Sequence, residues 1–126
     1  VLEVLEDRYS KWERGIDDIS LIKVNKLANF HNVSIDYLLG LSDLNIKTPK
    51  KDIDFKILPQ RLLQIRKEAN LTQSELSEKV GFSQRTYSDY ERGKFAPTTS
   101  KLCYIAMYYN ISFDYLVGRT DNKKLK

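Results

Sequence analysis

The sequence predicts an all-α protein, in which a complete five-helix unit follows a truncated copy of the same helical unit. Two observations predict this architecture. Apolar residues in the second half of the chain recur with helical spacing, and capping residues bound each stretch. The first half aligns without a gap on the end of the second half when the chain is shifted by 78 positions. The 126 residues suffice for one ordinary domain or two very small ones.

The repeat relates residues 9–43 to residues 87–121, and 14 of the 35 aligned pairs are identical. Glu-Arg-Gly occurs at residues 13–15 and 91–93, and Asp-Tyr-Leu occurs at residues 36–38 and 114–116. Residues 57–78 have no counterpart ahead of Val1, which leaves open an upstream segment, processing or a Val start codon. We therefore expect a degenerate, front-truncated unit over residues 1–43, a linker over residues 44–56 and a complete unit over residues 57–121.

The second unit begins with two helices whose starts are marked by local signals. Apolar residues recur at helical intervals from Leu58 onwards, and proline suits a first turn, which predicts a helix over Pro59–Ala69. Thr72 and Glu75 have the spacing of a capping box. They predict a second, short helix over Gln73–Val80.

Three further helices complete the second unit. Gly81 supplies a left-handed stop, Ser83 can cap the third helix, and Gly93 ends it. The second and third helices are thus joined by three residues, which is the spacing of a helix-turn-helix. A fourth helix is expected after Pro97, and Ser112 can cap a last one.

The segment from Leu71 to Gly93, LTQSELSEKVGFSQRTYSDYERG, resembles the signature of the Cro/C1-type helix-turn-helix family of phage and bacterial repressors. The segment from Ser112 to Gly118 is similar to the last helix of that family. The resemblance implies a phage-repressor-like fold, sequence-specific binding to double-stranded DNA, and regulation of transcription as a repressor. It also implies a homodimer, because a two-fold protein axis matches a palindromic site.

In this family, the second helix of the motif lies in the major groove and contacts base edges. The residues at the matching positions are Gln84, Arg85, Thr86 and, one turn further along, Asp89. Arg85 can donate two hydrogen bonds to guanine and Gln84 can pair with adenine, each contact contributing about 1–3 kcal/mol of discrimination. Side chains placed to donate to phosphate oxygens are Gln73, Ser83 and Lys94.

Other conspicuous residues are expected to have structural roles. In relatives, the residues at the positions of Arg66 and Glu91 form an ion pair that joins the first helix to the recognition helix. Several tyrosines fall on inward stripes, so we expect them in the core or at a partner contact. Cys103 cannot form an intramolecular disulfide and is expected to be an inert thiol, and His31 is the sole histidine. We therefore expect no metal and no cofactor.

The net charge and the hydropathy of the sequence limit the classes of function that the protein can have. The net charge is +4, and it divides into −2 over residues 1–54 and +6 over residues 55–126, which favours the second half for contact with a polyanion. No apolar run approaches the ~20 residues of a membrane span and no secretory signal opens the chain, so we expect a cytoplasmic protein. No catalytic residue set and no small-molecule site is evident. The alternative to DNA binding is a protein-interaction module, such as an antitoxin-like or anti-repressor component.

The first unit is expected to have lost DNA contact and to serve assembly or partner binding. Glu6 and Asp7 occupy the positions of Gln84 and Arg85, so two carboxylates would face the polyanion. The first unit also lacks the helices that would cover its apolar residues, which are Trp12, Leu21, Val24 and Leu27. The second unit, another subunit or an upstream segment could bury them, and we expect a subunit contact.

Overall fold

The computed structural model describes residues 19–125, so the expectations for Glu6, Asp7 and Trp12 lie outside the described residues. Within that range the chain forms seven helices, and its one β-type pairing is an isolated bridge between Ile111 and Lys124. The helices are α1 (Leu21–His31), α2 (Ile35–Leu38), α3 (Ile57–Glu68), α4 (Gln73–Val80), α5 (Gln84–Glu91), α6 (Thr99–Tyr109) and α7 (Phe113–Leu116). The predicted all-α fold is confirmed.

The caps of the helix-turn-helix are those that the sequence predicts. The hydroxyl of Thr72 accepts from the N–H of Glu75 at 3.1 Å, and the carboxylate of Glu75 accepts from the N–H of Thr72 at 3.0 Å. Gly81 then ends α4 with a left-handed φ of 82°. The hydroxyl of Ser83 accepts from the N–H of Thr86 at 3.1 Å and begins α5. Short-range hydrogen bonds therefore determine where both helices begin.

The repeat in the sequence is also a repeat in the structure, as far as the described residues extend. α1 and α2 correspond to α6 and α7 by the shift of 78 positions. Their matching end residues are the N-caps Ser20 and Thr98, the left-handed C-caps Asn32 and Asn110, and the N-caps Ser34 and Ser112. The same short-range signals therefore build the same two helices twice.

Apolar side chains of both units form one core. Leu62, Leu76 and Tyr87 of the second unit belong to the same buried cluster as Leu21 and Val24 of the first. Those two first-unit residues are buried within the chain, which corrects the expectation that a second subunit would cover them.

The two units differ at one repeated core position. Leu27 is 43% exposed, whereas its repeat counterpart Ile105 is fully buried. In the second unit α4 packs on α6, and the described part of the first unit contains no equivalent helix against α1.

The segment between the units contains no helix, as predicted for a linker, but it is tied to both units. The N–H of Thr48 donates to the carbonyl of Asn32 at 2.8 Å, and the N–H of Asp54 donates to the carbonyl of Val117 at 2.8 Å. The Asp54 carboxylate also accepts from the N–H of Ile57 at 3.2 Å. This contact explains why α3 begins two residues before the predicted start at Pro59.

A pair of buried carboxylates lies where α2 meets α7. The carboxylate of Asp114 accepts from the N–H of Ile35 at 3.0 Å and from that of Asp36 at 2.8 Å. The Asp36 carboxylate in turn accepts from the N–H of Phe113 at 2.6 Å. Arg119 Nε lies 3.0 Å from Asp114 Oδ1. Burial, followed by the nearby charge of Asp114, raises the pKa of Asp36 to about 8.

Candidate nucleic-acid interface

The first turn of α5 presents polar side chains to solvent. Gln84 and Arg85 are exposed and Thr86 is half-buried. The opposite face of α5 carries Tyr87 and Tyr90, which are 0% and 6% exposed. The short helix is therefore anchored by two aromatic rings, and its exposed first turn is the part that can enter a groove of DNA.

The Arg66–Glu91 ion pair joins α3 to the end of α5. Arg66 Nε donates to Glu91 Oε2 at 2.6 Å, and Nη2 donates to Oε1 at 3.0 Å. The remaining guanidinium nitrogen donates to the Leu71 carbonyl at 2.8 Å. Burial alone would raise the pKa of Glu91, but hydrogen bonds from Arg66, Tyr87 and Gln73 outweigh it and lower the pKa. The pair thus fixes the orientation of α5, the geometry that the sequence comparison implied.

Gln73 belongs to this buried network as well as to the start of α4. Its side-chain amide donates to Glu91 Oε1 at 3.0 Å, so that amide is already engaged. Gln73 is nevertheless the first residue of α4, where the backbone N–H groups of a helix point outward without intrahelical partners. The amide nitrogen carries two hydrogens, so the donors that Gln73 can offer to a phosphate are the second amide hydrogen and the backbone N–H.

Two other expected contact residues are engaged by neighbouring side chains. Asp89 is 7% exposed, and its carboxylate pairs with Arg92. The Ser83 hydroxyl donates to the hydroxyl of Thr86 at 2.7 Å while capping α5. Asp89 is therefore removed from the open surface formed by Gln84 and Arg85, whereas Ser83 is exposed beside them with its hydroxyl hydrogen donated to Thr86.

Three exposed cationic side chains lie in the first turn of α5 or just after its end. Arg85 lies in its first turn, Arg92 directly follows its end, and Lys94 follows two residues later. Lys94 Nζ lies 5.5 Å from the ring centroid of Phe95, which is 58% exposed. Neither Arg92 nor Phe95 is predicted from the sequence as a contact residue, although the three-residue spacing of Asp89 and Arg92 is a signal for an ion pair on a helix.

Within residues 19–125, no cluster of potential metal ligands occurs and no helix is long and apolar enough to cross a membrane. Cys103 is buried, and burial raises the pKa of its thiol to about 12. The thiolate is the nucleophilic form of cysteine, so this shift makes the side chain unreactive at neutral pH.

Comparison with protein families places these features in a known group. A family model described as helix-turn-helix matches residues 7–38 and 62–116, which together make up more than half of the chain. The chain belongs to the Cro/C1-type helix-turn-helix family. The longer match contains α4 and α5 and extends to the end of α7, and the shorter match contains α1 and α2. Two matches in one chain agree with the second, degenerate copy inferred from the repeat.

Curated relatives in this family match about half of the chain. YobD, an uncharacterized HTH-type transcriptional regulator of Bacillus subtilis, is 41% identical over 50% of this chain and 56% of its own length. ImmR, an HTH-type transcriptional regulator of the same organism, is 37% identical over 53% of each protein. RstR, a cryptic phage CTXphi transcriptional repressor of Vibrio cholerae, is 39% identical over 49% of this chain and 55% of its own. The chain thus spans about half the length of these relatives, and no solved structure matches it significantly.

Proposed function

We propose that the chain is a transcriptional regulator, acting as a repressor, that binds a specific sequence of double-stranded DNA through α5. The observation that carries the proposal is the exposed pair Gln84 and Arg85 at the start of a helix held from behind by a buried ion pair. The naming of family relatives as transcriptional regulators and repressors supports the same conclusion. The proposal assigns no catalysis to the chain.

In the proposed complex, the first turn of α5 lies in the major groove. Arg85 donates to O6 and N7 of a guanine, and Gln84 pairs with an adenine edge. Discrimination between bases requires that these two side chains start from a fixed backbone. Tyr87 and the Arg66–Glu91 pair hold that backbone in place.

Phosphate contacts would set the register of α5 on the duplex. Lys94 and Arg92 are exposed beside the helix, and the first N–H groups of α4 are available to an anion. Each neutralised phosphate releases condensed counterions, so affinity should fall as salt rises. The net charge of +6 over residues 55–126 is consistent with this role.

Selection of binding sites from random duplex DNA tests the proposal, followed by salt titration on the selected site. We expect a defined site, and log K should fall linearly with log salt by about 0.9 per phosphate neutralised. Lys94→Ala should make the slope shallower by about 0.9, because one phosphate contact is lost. Lys47→Ala removes the same charge from the exposed linker and should leave the slope unchanged. Absence of salt-sensitive DNA binding, together with a co-purifying protein, would instead support the protein-interaction alternative.

The homodimer implied by the family resemblance is the alternative to a complex with one copy of α5, and the selected site distinguishes the two arrangements. A dimer would place two copies of α5 on half-sites about 34–36 Å apart, which is one helical turn of DNA. A selected site with two inverted half-sites at that spacing would support it.

A further inference from the structure

The contact between the two units has the pattern of a two-fold interface. Asp114 of the second unit caps the N–H groups of Ile35 and Asp36 at 3.0 and 2.8 Å. Asp36 of the first unit caps the N–H of Phe113 at 2.6 Å and accepts from the Ser112 hydroxyl at 2.5 Å. Asp36 and Asp114 are repeat counterparts, as are Ile35 and Phe113. Reciprocal contact between matching residues is the signature of an isologous interface, such as that of a symmetric dimer.

This interface is closed within the chain. Ile35 and Phe113 are fully buried, and Ser112 and Asp114 are 2% and 5% exposed. The N–H groups of Ile35 and Phe113 and the hydroxyl of Ser112 all donate across the interface. The α7 face of the second unit is therefore occupied by α2 of the same chain.

We propose that the α7 face is a pairing surface for a second copy of the DNA-binding unit, and that the first unit occupies this surface within the chain. The chain is then a single-chain counterpart of a dimer, with one described helix-turn-helix per chain. The inference deepens the proposed function, since it specifies how many copies of α5 one protein molecule brings to DNA. It replaces the second subunit of the expected homodimer with the first unit.

The electrostatics of the interface are compatible with exchange of the first unit for a second copy of the chain. The present interface holds two carboxyl groups, Asp36 and Asp114, and one nearby guanidinium, Arg119, and the raised pKa of Asp36 keeps that carboxyl group largely protonated at neutral pH. The repeat counterpart of Arg119 is Leu41, so the first unit supplies no second cation there. Pairing of two α7 faces would bring together two Asp114 carboxylates and two Arg119 guanidinium groups. Each Asp114 carboxylate of such a pair would have one guanidinium partner, as Asp114 has in the present interface.

The test measures the mass of the full chain and its variants by sedimentation equilibrium. The unsubstituted chain should be a monomer of 14.7 kDa, because its α7 face is occupied. Asp36→Lys places an ammonium group against the N-terminal N–H groups of α7 and should expel the first unit. The freed α7 faces of two chains can then cap one another through Asp114, so the mass should double.

Two further variants test whether the doubling of mass depends on the capping carboxylates. Asp36→Lys combined with Asp114→Lys removes both capping carboxylates and should remain a monomer. Asp43→Lys makes the same charge change at an exposed position of the first unit and should also remain a monomer. Circular dichroism measures whether each variant retains its helix content. If Asp36→Lys loses helix content, the mass of Asp36→Ala is measured instead. That variant is expected to show the same doubling of mass.

A dimer of the unsubstituted chain would overturn the inference, and this measurement does not depend on the folding of any variant. The inference would also be overturned if both Asp36 variants were helical monomers. A dimer of Asp43→Lys would overturn it as well. DNA binding is measured separately. A chain that shows the expected masses but binds no DNA would refute the proposed function and leave the pairing surface in place.

Discussion

Replacing Glu91 by Ala should lower the free energy of unfolding by about 3 kcal/mol, because the buried charge of Arg66 loses its partner. The Glu91 side chain is 4% exposed and that of Arg66 is 13% exposed. Removal of one member of a buried ion pair typically costs about 3–5 kcal/mol. Arg66 keeps its hydrogen bond to the Leu71 carbonyl and slight contact with water, which places the loss at the lower end of that range.

The loss can be measured by urea unfolding, followed through the circular dichroism of the helices. The stability change is taken from the shift in midpoint at a constant slope, since a constant slope indicates an unchanged extent of unfolding. The matched control is Glu68→Ala. Glu68 pairs with Lys123 at 3.0 Å, but the two side chains are 49% and 41% exposed, so the expected loss is about 0–1 kcal/mol.

A double variant separates the ion pair from simple loss of packing. Arg66→Met combined with Glu91→Ala removes both charges, so no unpaired charge remains in the core. The combined loss should be smaller than the sum of the two single losses. Equal losses in Glu91→Ala and Glu68→Ala, or strictly additive effects of Arg66→Met and Glu91→Ala, would show that the buried pair does not stabilise the orientation of α5.

Three other outcomes are expected. Arg85→Ala should weaken binding to the selected site by about 1–3 kcal/mol in fluorescence anisotropy, with little change on random duplexes, whereas equal losses would assign Arg85 to phosphate contact. The raised pKa of Asp36 stabilises the fold below about pH 4, and this contribution is lost as the pH rises to about 8, so Asp36→Asn should remove that part of the pH dependence of the urea midpoint. Gly118→Ala should destabilise more than Gly81→Ala. Both glycines have φ of +82°, but only at Gly118 would a Cβ lie 2.7 Å from the Ile57 side chain, and equal midpoints would refute this explanation.

The helices could be predicted because their signals are local. Thr72, Ser83 and Ser112 each accept from a backbone N–H three residues later, so the residues that form the cap are adjacent in the sequence. The apolar spacing of α3 likewise depends only on the pitch of a helix. The start of α3 was misplaced by two residues, because the prediction relied on Pro59 and overlooked Asp54, whose carboxylate accepts from the N–H of Ile57 three residues later.

Features that depend on distant residues could not be predicted in the same way. The repeat shows that Asp36 and Asp114 are equivalent, but sequence similarity does not indicate that equivalent residues touch. The engagement of the Gln73 amide by Glu91 likewise depends on how α4 packs against α5. The exposure of a polar side chain is set by such packing, so the sequence indicated that the first turn of α5 is exposed more reliably than which donors near it are free.

The reciprocal carboxylate caps also have a consequence for unfolding. Sequence similarity divides the chain into two units, but each unit supplies the acceptor for the first N–H groups of the other unit's short terminal helix. Opening of either unit would leave buried donors of the other without partners, and an unpartnered buried donor costs about 1–3 kcal/mol. Local opening at the first unit is therefore energetically coupled to the helices that frame α5, and the two repeats should melt in one cooperative transition.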